Sequence, residues 1–66
     1  MKEEIMAHLR VHPGSTSSGI NRAVRSDRSI SDWIATRADL DRLLSDGLIE
    51  ERQYHGVTVF FLKGQS

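Results

Sequence analysis

The side chains with chemistry to offer in this sequence are arginines and hydroxyls. Arg22, Arg25 and Arg28 gather just before a long periodic stretch, Arg37 and Arg42 fall inside it, and Arg52, Tyr54 and His55 follow near a glycine bend. A guanidinium presents a planar fork of donors that fits phosphate oxygens, and it fits the major-groove edge of guanine bidentately. Ser31 and Thr36 add small hydroxyl groups in the same stretch. This set suits recognition of a polyanion more than transformation of a small molecule.

Other candidates are weaker. His8 and His12 stand one helical turn apart, a spacing compatible with metal ligation, but His55 is the remaining histidine and there is no cysteine. Zinc sites draw on three or four such groups, so ordinary surface histidines are the expectation and no metal is assigned. Ser15 to Ser18 places four hydroxyls in a row. Without a GxxxxGK[ST] pattern these read as a loop and helix cap. No nucleophile elbow and no HExxH motif occurs, so catalysis and cofactors are not expected.

Composition narrows the field. Sixty-six residues make one small domain (1–66), and nine basic residues balance nine acidic ones to a formal charge of zero. DNA affinity draws heavily on neutralised phosphates, so support must come from where the charges lie, not from their sum. Absence of cysteine fits a reducing cytoplasm. No apolar run approaches the roughly 18 residues of a membrane span, and no signal-peptide core begins the chain. The expectation is a soluble, self-contained cytoplasmic domain with no membrane and no small-molecule substrate.

The elements that must position the arginines follow from periodicity. Lys2 to His12 reads as a helix with Ile5, Met6 and Leu9 as its apolar stripe, stopped by Pro13-Gly14. A short second helix is expected from about Ser18 to Val24, with Ile20, Ala23 and Val24 inward. Arg25 to Ser29 is the intervening turn, either a phosphate grip or a solvated loop. In the third helix, about 31–46, Trp33, Leu40, Leu43 and Leu44 form the apolar side, Ser31 caps the start and Gly47 ends it. Thereafter the period is two: LIEERQY and VTVFFL alternate about His55-Gly56, as in a hairpin. A short third strand at Ser15 to Ser17 would pair at the edge, and Lys63 to Ser66 would fray. The expected core is Ile5, Leu9, Ile20, Val24, Trp33, Leu40, Leu43, Leu44, Ile49, Val59 and Phe61.

Helix, glycine, strand, glycine, strand is the second half of a winged helix-turn-helix, an α+β fold of three helices and a C-terminal two-stranded wing. In that fold the third helix enters the major groove and the wing, here 48–62, rests on the backbone. The groove-facing candidates are Ser31, Asp32, Ala35, Thr36, Ala38 and Arg42, with Arg37 at the margin. Arg37 has two readings: a contact to guanine or phosphate, or an ion pair with Asp41 or stacking on Trp33. Arg22, Arg25, Arg28 and Arg52 are candidates for phosphate, with Tyr54 and His55 at the wing. Four aspartates on the same helix oppose DNA binding unless Asp39, Asp41 and Asp46 turn away. The alternative is a protein-interaction module using the acidic helix face or the exposed wing aromatics Tyr54 and Phe60.

MKEEIMAHL at the start and VTVFFLKG near the end, with Ile5, Leu9, Ile20, Leu40, Leu43, Gly47 and the terminal Phe61-Leu62-Lys63-Gly64 as the carrying positions, resemble the very small bacterial winged-helix regulators of pilus (fimbrial) operons. The resemblance implies a sequence-specific DNA-binding transcriptional regulator of double-stranded control sites, acting with a leucine-responsive global regulator; apart from the resemblance, a second copy of the chain, as a homodimer, is the other partner expectation. Arg37 stands at the place of an arginine in that family's recognition helix. The chain departs from the pattern in its extra residues around Arg25 to Ser29 and its more acidic third helix.

Overall fold

The computed structural model describes residues 1–25 and 29–65. Arg28, a candidate for phosphate, and most of the turn between the second and third helices lie outside the described residues. Three helices, α1 (Lys2–Val11), α2 (Ser17–Val24) and α3 (Ile30–Ser45), precede strands β1 (Ile49–Tyr54) and β2 (Val57–Leu62). The architecture is α+β, with the two strands forming an antiparallel hairpin at the C-terminal end. No helix among the described residues is long and apolar enough to cross a membrane.

Helix boundaries follow the caps. Thr16 Oγ1 accepts from the Gly19 amide at 3.1 Å, so α2 starts one residue earlier than its pattern suggested. Ser29, not Ser31, caps α3: its Oγ accepts from the Asp32 amide at 3.1 Å, and Ile30 becomes the first helical residue. An oxygen two or three residues ahead of a free first-turn amide is what an N-cap supplies, and either serine has one. At the other end Gly47 takes φ +74°, with its amide donating to Leu44 O and that of Leu48 to Leu43 O. This pair of bonds satisfies carbonyls that the helix end leaves open.

The hairpin turns through two residues, His55 (φ 51°) and Gly56 (φ 80°), and its register pairs Tyr54 with Val57 and Ile49 with Leu62. Both positive angles match the right-handed twist of the flanking strands. That register corrects the expected core. Side chains alternate, so once Ile49 points inward, Phe60 must share its face while Phe61, opposite Glu50, lies on the other. Phe60 is buried; Phe61 and Val59 are half-buried, and the Phe61 ring covers Gly14.

The core is Ile5, Leu9, Ile20, Leu40, Leu43, Ile49 and Phe60, with Met6, Val24, Leu44, Leu48 and Leu62 packed against it. Two expectations for the helices change. Trp33 is 39% exposed, because α3 buries Thr36, Leu40 and Leu43 and the indole stands to one side of that line, leaning toward Ser18, Asn21 and Arg22. On α2 Asn21 is buried and Ala23 exposed. The third strand reduces to one bridge, in which Ser15 pairs with Phe60. Gln65 is tied down where fraying was expected: its side chain accepts from the Leu62 amide and donates to Leu9 O, each at 2.9 Å.

Candidate nucleic-acid interface

The candidate residues divide between the two sides of α3. On the inner side, Arg25 extends along α3 and donates to Thr36 Oγ1 at 2.6 Å and Asp39 Oδ2 at 2.9 Å. Thr36 in turn donates its single hydroxyl hydrogen to Asn21 Oδ1 at 2.6 Å. Thr36 and Asn21 are buried, and the Arg25 side chain is only 15% exposed. Two expected contact residues are thereby reassigned: Arg25 and Thr36 bind α2 to α3 and are not presented to a ligand. Thr36 was expected outward because its polarity suggested a surface, but a buried hydroxyl is tolerated where donor and acceptor roles are both filled. Asp39 turns away from the outer face, as DNA binding would require of it.

The outer side of α3 carries Ile30, Ser31, Ile34, Arg37, Ala38, Asp41 and Arg42, all exposed. Arg37 lies 3.8 Å from Asp41 and Arg42 lies 3.7 Å from Asp46, each an i,i+4 pair on the surface. Of the two readings of Arg37, the ion pair is the arrangement present. Surface pairs of this kind contribute at most about 1 kcal/mol, so the guanidinium groups are held loosely. Asp41 did not turn away and stays on the outer face one turn from Arg37, while Asp46, the C-cap residue beside Arg42, borders neither of the hollows on this side. Asp32 and Ala35 are half-buried at the edge of this face.

Two hollows meet on this side. A cleft of about 530 Å³ runs between α3, the start of α2 and the inner face of the hairpin, with Thr16, Ser18, Arg37, Asp41, Glu51 and Thr58 in its walls. A shallower, largely apolar hollow of about 410 Å³ lies over Trp33, Ile34 and Ala38. Arg37 and Asp41 border both, so the two adjoin at these side chains and together make up one tract of the surface. Sequence reading missed the apolar part of it. Its signal was legible: Ile30, Ile34 and Ala38 recur every four residues, on the side opposite Thr36, Leu40 and Leu43.

The remaining candidates sit around the tract. Arg22 is exposed on α2 beside Trp33. At the hairpin, Arg52 Nη2 pairs with Glu50 at 3.1 Å, Tyr54 is 66% exposed and meets the His55 ring edge-on at 4.3 Å, and Gln53 donates to Thr58 at 2.6 Å.

The histidines of α1 belong elsewhere. His8 and His12 rings lie 5.0 Å apart. Ser15 Oγ donates to His12 O at 2.6 Å and accepts from His8 Nε2 at 3.1 Å. Partial burial, and then the neighbouring His12, hold His8 below the ordinary value of 6.5. His55 stands apart at the hairpin tip. No protein-family model, curated protein or solved structure matches the chain.

Proposed function

We propose that the chain is a winged helix-turn-helix, DNA-binding transcriptional regulator, of the kind its resemblance to the small pilus-operon regulators implies. In this reading α3 enters the major groove and the β1–β2 hairpin is the wing. The observation that carries it is the single tract joining the outer face of α3, the hydroxyl-rich start of α2 and the hairpin. A duplex takes a helix in its groove and donors beside it for the backbone; the tract supplies Arg37 and the hydroxyls of Thr16, Ser18 and Thr58, set against the carboxylates of Asp41 and Glu51. Arg37 and Arg42 serve the groove, with Ser31 beside them. Arg22, Arg52, Tyr54 and His55 serve the sugar-phosphate backbone. The partners on this reading are double-stranded DNA and either a global regulator, which the resemblance implies, or a second copy of the chain, within a bacterial cytoplasm.

The arginine pairs set the cost. Phosphate or guanine must draw Arg37 from Asp41, and an exposed pair yields easily. Fluorescence anisotropy with duplex DNA across a salt series tests the reading. Saturable binding that weakens steeply with salt, and weakens again in Arg37→Ala, supports it; absence of binding at low salt overturns it.

A second reading is a protein-interaction module of the same fold. Exposure of Ile30, Trp33 and Ile34, together with the charge balance of Arg37 and Arg42, favours it, since contiguous exposed apolar side chains mark contact surfaces. Phe60, expected to serve such a surface, is buried.

A further inference from the structure

Every fourth residue of a helix falls on one ridge, and the outer side of α3 carries two such ridges side by side. Ile30, Ile34 and Ala38 form one, Trp33, Arg37 and Asp41 the other. Ile30 is 78% exposed, Ile34 66% and Trp33 39%, and no other element of the described residues covers them. Between the ridges lies the shallow, largely apolar hollow of about 410 Å³. Ala38 opens it, because one turn beyond Ile34 the row drops to a methyl group. The face therefore holds a raised apolar row and, beside it, a hollow that such a row would fill.

We infer that a second copy of the chain covers this face, the two α3 helices crossing about a two-fold axis between Ile34 and Ala38. It rests on the protein-interaction reading and names the partner as the chain itself. Across that axis each Ile34 seats over the other copy's Ala38, and each row enters the other's hollow. Packing of fourth-residue ridges into fourth-residue grooves, at about 50° between axes, is the commonest way two helices meet. A two-fold contact requires a patch that is its own complement, and a protrusion and a hollow of like chemistry on one helix meet that requirement.

Charge favours the same occupant. Arg37 and Asp41 balance within the patch, and Glu51 across the adjoining cleft adds no positive charge. A patch without net charge can be laid on its own copy with no excess of like charges. The Arg37–Asp41 pair would stay at the rim, where interfaces are polar and wet. The area suffices: the two isoleucines, Trp33, Ala38, Arg37 and Asp41 offer roughly 600 Å² per copy, the low end of what specific interfaces bury. Because a duplex in its groove would need the same side of α3, the helix holds either DNA or its copy at one time.

The experiment is sedimentation equilibrium of the full chain over a concentration series, with the emission of Trp33, the single tryptophan, read on the same samples. The expected result is a monomer-dimer equilibrium between roughly 1 µM and 1 mM, with emission moving to shorter wavelength as the dimer forms. Added salt should change it little, unlike binding to DNA. Each substitution acts twice in a symmetric dimer. Ile34→Ala, whose side chain lies outside the core, should weaken association about a hundredfold while leaving the melting curve of dilute protein unchanged. Ala38→Leu fills the hollow and should weaken it about tenfold. A chain that stays monomeric at the highest concentration overturns the inference, and so does a dimer that neither substitution weakens. Duplex DNA added to the same samples separates the readings. Saturable binding by a chain that never dimerises leaves the DNA-binding reading standing without the inference; a dimer that ignores duplex at low salt leaves the inference standing without that reading.

Discussion

The two sides of α3 carry similar residues to opposite ends. Inward, Thr36 and Asp39 meet Arg25 and Asn21 in a closed set of short hydrogen bonds between buried or half-buried groups. Outward, Arg37 with Asp41 and Arg42 with Asp46 make long pairs in water. The first arrangement is costly to open, because each partner removed leaves a buried polar atom unsatisfied. The second is nearly free to open, because water replaces whatever is lost. An arginine is thus an anchor or an available contact according to the side of the helix it meets, and its position before or within α3 does not tell which.

The largest effect should come from breaking the inner set. Arg25→Ala strips donors from Thr36 and Asp39, and urea unfolding should show a loss of about 2–3 kcal/mol. Such a loss is a large share of the stability of so small a domain. A variant that melts like wild type would show that Arg25 adds nothing to the hold of α2 on α3, leaving it to the Thr36–Asn21 bond and apolar packing. Arg37→Ala is the matched change on the outer side. Its melting should stay within about 0.5 kcal/mol of wild type, while DNA affinity drops about tenfold and the salt slope shallows by roughly one. Affinity unchanged with stability unchanged would remove Arg37 from the interface.

A smaller effect sharpens the outer side. Asp41→Asn removes a carboxylate from the tract and frees Arg37, so DNA affinity should rise about twofold to threefold at low salt and converge with wild type at high salt. A fall in affinity would mean that Asp41 itself accepts from a base. The smallest effect lies away from both sides. His8 is harder to protonate in the folded chain than in the unfolded one, so the unfolded state takes up more protons below pH 6.5. Stability should be full above that pH and decline as pH falls through 6.5 toward the lower folded value. His8→Gln should flatten this slope in melting curves taken from pH 7.5 to 5; an unaltered slope would place the titration elsewhere.

Element order was legible because it rests on local signals. The Pro13-Gly14 stop, the Gly47 turn and the His55-Gly56 bend each act within a few residues, and each stands where the periodicity changes. Even the choice between Phe60 and Phe61 was within reach of sequence, for a two-residue turn at His55-Gly56 sets Ile49 on the same face as Phe60. The candidate site was less legible. Arg22, Ser31, Arg37, Arg42, Arg52, Tyr54 and His55 lie on exposed surface as expected, whereas Arg25 and Thr36 do not.

By itself, then, the sequence determined three helices, a C-terminal hairpin and most of the apolar core, since caps, glycines and period are properties of neighbouring residues. Tertiary structure decided the rest. Only the packing of α2 on α3 chose Thr36 over Trp33 for the interior, because Asn21 and Arg25 supplied the partners that make a buried hydroxyl affordable. The same choice left Ile30, Trp33 and Ile34 in water. A hydrogen bond between residues 15 positions apart in the chain, as from Thr36 to Asn21, depends on where two helices meet, which no local pattern encodes.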